Sequence, residues 1–274
     1  MFKYTEGDLI IKGVKIHYYR TGGKKPPFIL LHGASDNGLC WTPIAEILAE
    51  KYDVIMPDAQ GHGLSDRLDK NFSFQSHADQ VAGLVKQLGL KKPVIMGHSM
   101  GGGTATNLAV NYPELPRAII MEDPGWMPMR PESQNEEEAK KMREGIGEYM
   151  AGLVKKNLDE LITECRTANP RWSEAEIMPW ARSKLQFDIR LFSMTALNPT
   201  SYEELVPKIK CPALLLIAES GIVSKEVAEN AARLWKFKQP FRWVQIKGAG
   251  HNIRRENFPA FREAVFAFLE GLSD

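Results

Sequence analysis

The chain has 274 residues, 43% of them hydrophobic, and 35 basic against 34 acidic residues leave a net charge of +1. That balance excludes the basic stripe of a nucleic-acid binder, and the length suits one large α/β unit with a sizeable core. No apolar run approaches the roughly 20 residues of a membrane span, and the segment Met1 to Asp8 has no apolar signal-peptide core.

Leu9-Ile10-Ile11 and Val14 to Arg20, joined by Lys12-Gly13, read as a β-hairpin about a glycine turn. Phe28 to Leu31 is the first buried strand, and Trp41 to Lys51 has helical spacing through Ile44, Ile47 and Leu48. Val54-Ile55-Met56 is the next strand, and Phe74 to Gly89 the next helix, with Val81, Leu84, Val85 and Leu88 on its apolar face. Val94-Ile95-Met96, a helix after Ser99, and Ala118 to Met121 continue the alternation. From Pro124 to about Pro207 the pattern is helical and charged with no convincing strand. Strand–helix alternation resumes at Ala213 to Ile217, passes through a helix from about Val227 to Trp235, and reaches a last strand at Phe241 to Ile246. A helix over Pro259 to Leu269 follows. The pattern predicts an α/β fold with a mainly parallel eight-stranded sheet and helices on both faces. Residues 1–123 and 208–274 form its core, and 124–207 a helical insertion.

Gly97-His98-Ser99-Met100-Gly101 is the most informative stretch, because Pro93 to Met96 leads in as a strand and Gly102 to Val110 leads out as a helix. This is the strand, tight turn and helix of a nucleophile elbow, which lifts the Ser99 hydroxyl off the sheet and leaves the Met100 N–H facing a reacting carbonyl. A serine hydroxyl needs a base to take its proton. His251, in Gly248-Ala249-Gly250-His251-Asn252 just beyond the last strand, is the candidate, since that loop and Ser99 share the carboxyl edge of the sheet. The oxyanion formed on attack needs two donors. Met100 N–H is one, and Ala34 N–H in the loop His32-Gly33-Ala34-Ser35 after the first buried strand is the other.

With these motifs in place, residues 8 to 271 resemble the α/β-hydrolase fold family, whose hallmarks stand here as His32-Gly33, Gly97-His98-Ser99-Met100-Gly101 and Gly250-His251. Asp58-Ala59-Gln60-Gly61-His62-Gly63-Leu64-Ser65 resembles the family's D-x-R-G-x-G-x-S loop, with Gln60 in place of arginine, and is assigned a structural role. The resemblance implies that 124–207 is a cap over the site. It also implies a triad acid after the strand Leu214 to Ile217, yet the sequence there is Ala218-Glu219-Ser220-Gly221-Ile222-Val223, without the aspartate. A second location is the end of the strand after the nucleophile helix, Glu122-Asp123-Pro124. Asp123 lies 24 residues after Ser99, the spacing of relatives such as certain haloalkane dehalogenases and ring-cleaving hydrolases. Asp123 is the favoured acid, Glu122 should point to the other side of the strand, and Glu219 and Glu122 stay open as alternatives.

A serine at the elbow favours acyl transfer, whereas relatives that open epoxides or displace halide use an aspartate there. Neither cofactor nor metal is implied: no His, Cys and Asp cluster has ligand spacing, and His17, His62, His77 and His98 read as surface or loop residues. Cys40, Cys165 and Cys211 are far apart and odd in number, which argues against a disulfide framework. A cytoplasmic location is expected, with neither nucleic-acid nor membrane partners, a small ester-like substrate, and a homodimer left open. Trp126 and Met127 are candidate substrate-binding residues because they closely follow Asp123, while most other aromatics and methionines of the insertion pack its own small core. Arg130, Arg182 and Arg190 read as solvated charges. The expected activity is a cofactor-independent serine hydrolase of small carboxylic esters, lactones or thioesters. Alternatives are a carbon–carbon bond hydrolase of ring-cleavage products, cofactor-free peroxidation, and a slow-turnover ligand receptor on the same fold.

Overall fold

A computed structural model of the chain describes residues 4–70, 72–126, 136–192, 201–239 and 241–272. In chain order the elements begin with β1 (Thr5–Ile11), β2 (Val14–Arg20), β3 (Pro27–Leu31), α1 (Thr42–Leu48), β4 (Asp53–Pro57), α2 (Phe74–Gln87), β5 (Val94–His98), α3 (Met100–Asn111) and β6 (Ala118–Glu122). Helices α4 (Glu136–Leu153), α5 (Leu158–Ala168), α6 (Glu174–Lys184) and α7 (Tyr202–Leu205) follow. The chain then runs through β7 (Ala213–Ser220), α8 (Lys225–Leu234), β8 (Phe241–Gly250), α9 (Ile253–Glu256) and α10 (Phe258–Glu270).

All eight strands form one sheet in the order β1-β2-β4-β3-β5-β6-β7-β8. Strands β1 and β2 pair antiparallel, as do β2 and β4, and the remaining pairs are parallel. The hairpin reverses through Lys12 and Gly13, both at positive φ (53° and 82°), as a two-residue turn matched to strand twist requires.

Alternation along the strands assigns side chains to two cores. Ile29, Leu31, Ile95, Ile119, Met121, Leu215 and Ile217 pack with Val81, Leu84 and Val85 of α2, Leu108 of α3 and Ala228 of α8 on one face. Phe28, Leu30, Val94, Met96, Ile120, Leu214 and Leu216 pack on the other, against Ile44 and Leu48 of α1 and Phe261, Val265 and Phe268 of α10. A sheet covered on both faces leaves its carboxyl edge as the place for a site. Between β6 and β7 the described residues hold helices and no strand. There Leu153, Leu161, Ile162, Cys165, Trp172, Ile177 and Trp180 form a separate apolar cluster. Helix α5 was not distinguishable within the predicted helical stretch, and α7 and α9, one turn each, carry too few residues for a periodic signal. No described helix is long and apolar enough to cross a membrane.

One expectation needs correction. His17, His62, His77 and His98 are all buried, none more than 6% exposed. His17 lies on β2, His77 on α2 and His98 at the end of β5, so of the four His62 alone sits in a loop, and that loop is packed inward as well.

Candidate active site

Strand β5 ends at His98, and Ser99 takes φ 50°, ψ −114° before α3 begins. A non-glycine residue there is strained, and the surroundings hold it. Its N–H donates to Glu122 O (3.0 Å), and its carbonyl accepts from Gly103 N–H (3.0 Å) and Gly125 N–H (2.9 Å). The flanking glycines serve close approach: a Cβ on Gly97 would drive into the Gly101 carbonyl, and one on Gly101 into the Leu31 carbonyl. The Ser99 side chain makes no capping bond to α3, so its hydroxyl is not diverted into the helix, and Met100 N–H opens the helix at its positive end.

His251 lies between β8 and α9, and its Nδ1 is 2.6 Å from Asp123 Oδ2. Asp123 directly follows β6 at φ 37°. Its carboxylate is fully buried and accepts two further bonds, from Ile222 N–H to Oδ2 (2.8 Å) and from Val223 N–H to Oδ1 (2.9 Å). The loop after β7, which lacks the expected aspartate, thus donates its backbone to a carboxylate from the neighbouring strand. A side chain on Gly221 would collide with that carboxylate. Glu122 is also buried, but it accepts from Arg254 N–H (2.8 Å) and Arg254 Nη1 (3.2 Å). Glu219 is exposed and accepts Gly248 N–H (2.8 Å). Of these three carboxylates, Asp123 is the one placed against His251.

The loop after β3 crosses directly over the elbow, since a Cβ on Gly33 would stand 2.7 Å from His98 Nδ1 and 3.4 Å from Ser99 Cβ. Asp36 N–H closes a turn onto Gly33 O (3.2 Å), with Ala34 and Ser35 at its centre and Ser35 at φ 63°. Histidines brace it. His32 Nδ1 lies 2.8 Å from Gly33 O while its Nε2 accepts Ala59 N–H (3.0 Å). His62 Nε2 accepts Ser35 N–H (3.2 Å) while its Nδ1 lies 3.1 Å from Gln60 O. Each ring therefore carries its proton on Nδ1 and must be neutral to accept. Burial keeps them so, pushing His32 down to about 4 and His62 to about 3. His98 is neutral for the same reason, with Arg254 adding to the effect of burial, and its Nε2 lies 2.9 Å from His251 O. Its ring packs on the His251 ring at 4.7 Å between centroids.

Beside this group lies a buried set of charges that sequence reasoning missed. Asp36, Glu122 and Glu176 face Lys184, Arg254 and Arg255, and none of the six side chains is more than 5% exposed. Burial opposes the ionised Asp36, but Arg255, Lys184 and Arg254 outweigh it and hold its carboxyl well below the ordinary range. The Arg254-Arg255 doublet shortly after His251 was the available signal, yet its partners lie far away in sequence.

Trp126 is 5% exposed, stacks on Tyr202 at 5.5 Å and donates from Nε1 to Thr106 Oγ1 (2.9 Å). Its indole thus fills core space beside α3, and the pocket-lining expectation finds no support there. Met127 lies outside the described residues. Trp172 and Trp180 sit in the insertion's own cluster, and among the described residues no group of His, Cys, Asp and Glu could hold a metal ion.

Comparison with known proteins agrees with the fold. An uncharacterized protein of Mycobacterium tuberculosis is 35% identical over 107 residues, which is 39% of this chain and 31% of that protein. The chain thus matches about a third of the length of such relatives. N-formylmaleamate deformylase of Pseudomonas putida is 25% identical over 269 residues, 96% of each chain. The crystal structure of E-2-(acetamidomethylene)succinate hydrolase superposes with a TM-score of 0.79 at 19% identity, covering 98% of this chain and 100% of that one. Residues 26–257 match the family described by the alpha/beta hydrolase fold, and the chain belongs to that family.

Proposed function

We propose that the chain is a cofactor-independent serine hydrolase of small carboxylic esters, with lactones or thioesters as related substrates, acting through an acyl-enzyme on Ser99. The observation that carries this reading is the 2.6 Å contact of a buried, doubly hydrogen-bonded Asp123 with His251 Nδ1, next to a strained serine at the head of a helix. Asp123 fixes the His251 proton on Nδ1, so that Nε2 presents a lone pair as base. Ser99 Oγ attacks the acyl carbon as its proton passes to His251 Nε2. Met100 N–H and Ala34 N–H stabilise the oxyanion. The bond to the leaving oxygen then breaks, and His251 returns the proton to the departing alcohol. Water, losing a proton to His251, attacks the acyl carbon and releases Ser99 and the acid. Segment 124–207 caps the site in this reading.

A second reading, cleavage of an N-acyl bond in a small acid, is favoured by the likeness to N-formylmaleamate deformylase over 96% of both chains. The same triad and oxyanion donors serve either leaving group, because His251 protonates nitrogen as well as oxygen. Hydrolysis of p-nitrophenyl esters from acetate to octanoate, measured beside N-formyl amides of dicarboxylic acids, separates the two. Ser99→Ala is expected to abolish both. Wild-type rates in that variant would defeat the proposal.

A further inference from the structure

The buried charges are more than a tie between elements, because one of them ends on the loop that carries the second proposed oxyanion donor. Lys184 closes α6 of the insertion and is 2% exposed. Its Nζ donates to Ser35 O (2.8 Å), Ser35 Oγ (3.0 Å) and Asp36 Oδ1 (3.1 Å), with Ser183 Oγ at 3.2 Å. The other Asp36 oxygen accepts from Arg255 Nη2 (2.9 Å) and Arg254 Nη2 (3.4 Å), and Arg255 Nε returns to Glu176 on α6 (3.1 Å). Helix α6 therefore holds the turn Gly33–Asp36 at two points, directly through Lys184 and indirectly through Arg255.

The geometry of that turn transmits the hold. Gly33 O accepts the Asp36 N–H inside the turn, and in a planar trans peptide the carbonyl and the next N–H point in opposite directions. Fixing Asp36 therefore fixes the plane in which Ala34 N–H lies. Ser35 at φ 63° is a conformation a non-glycine residue leaves readily unless held. Lys184 grips both its carbonyl and its hydroxyl.

We infer that Lys184 is a positioning residue for the oxyanion hole: delivered by the insertion, its ammonium locks the Gly33–Asp36 turn and aims Ala34 N–H at the Ser99 side. This rests on the serine hydrolase reading above. Losing one oxyanion donor costs about 10²–10³ in kcat. A donor left in place but free to drift costs less, about tenfold to hundredfold.

The test compares wild type, Lys184→Met, Lys184→Arg and Ser35→Gly for kcat and KM on p-nitrophenyl acetate. It also compares affinity for a trifluoromethyl ketone, which forms a hemiketal oxyanion on the serine. Lys184→Met is expected to lose about tenfold to hundredfold in kcat at nearly unchanged KM, and ketone affinity should fall by the same factor as kcat/KM. Lys184→Arg should recover most of both. Ser35→Gly keeps the positive φ without strain and so folds, but loses the hydroxyl bond and the stiffness, and it should lose kcat severalfold. If Lys184→Met does not fold, Ser35→Gly and Lys184→Arg decide. Wild-type kcat in a folded Lys184→Met or in Ser35→Gly, or a fall in kcat without a matching fall in ketone affinity, would overturn the inference while leaving the hydrolase reading intact. A wild type without Ser99-dependent turnover would remove both.

Discussion

Replacing Asp123 by asparagine deletes one buried charge and forces one hydrogen-bond donor to face another. Oδ2 accepts from His251 Nδ1 and Ile222 N–H, and Oδ1 from Val223 N–H alone. The amide nitrogen therefore settles at the Oδ1 position, where it opposes one donor rather than two. Leaving that buried pair unsatisfied costs about 1–3 kcal/mol of stability. The amide oxygen stays against His251, so the histidine keeps its proton on Nδ1, and the activity loss comes from the missing charge. His251 is 34% exposed at its side chain, so an effective dielectric of about 20 applies. Two unit charges about 4 Å apart are then worth about 4 kcal/mol. At about 1.36 kcal/mol per decade this is a loss of about 10³-fold in kcat, smaller than the roughly 10⁴-fold seen where amidation imposes the wrong tautomer. The assay is steady-state hydrolysis of p-nitrophenyl acetate together with urea unfolding. An Asp123→Asn enzyme within tenfold of wild-type kcat would refute the reasoning.

Glu219→Gln should stay within about twofold of wild type in the same assay, since a glutamine oxygen can still accept Gly248 N–H. Gly221→Ala should lower both activity and melting temperature, because its methyl collides with the Asp123 carboxylate; unchanged values for both would contradict the packing described. Burial pushes His32 down to about 4 and His62 and His77 to about 3. The unfolded chain, with histidines near 6.5, then binds more protons than the folded one between those values. Stability is complete above about pH 6.5 and falls on acidification, by up to about 1.4 kcal/mol per pH unit for each histidine. Chemical denaturation at intervals from pH 7.5 to 4.5 should show this decline and a shallower one in His62→Gln.

What was legible in the sequence followed from local chemistry. Phe28 to Leu31 and Val94 to Met96 are short apolar runs, which a sheet buried on both faces demands. The glycines around Ser99 mark a turn whose neighbours approach too closely for a Cβ. Asp123 was favoured over Glu122 and Glu219 through the resemblance to relatives with an acid 24 residues after the nucleophile, and it does lie against His251. The groups that hold it were not legible, because they are backbone N–H of Ile222 and Val223, which any residue supplies. The buried charges were invisible for a different reason. A lysine or arginine in a helical, charged stretch reads as solvated, and Lys184 is instead neutralised by Asp36, 148 positions away in sequence. His62 and His98 were misplaced by the same logic, since their roles depend on acceptors and donors brought in by folding. Trp126 follows Asp123 in sequence but turns into the core, where Thr106 satisfies its indole.

The most direct measurement is peptide mapping by mass spectrometry after treatment with a fluorophosphonate, with ester hydrolysis followed in the same samples. The account predicts a single adduct on the peptide containing Ser99, loss of hydrolysis in proportion to labelling, and no adduct in Ser99→Ala. Full ester hydrolysis by Ser99→Ala, or inactivation with the adduct on another residue, would contradict it.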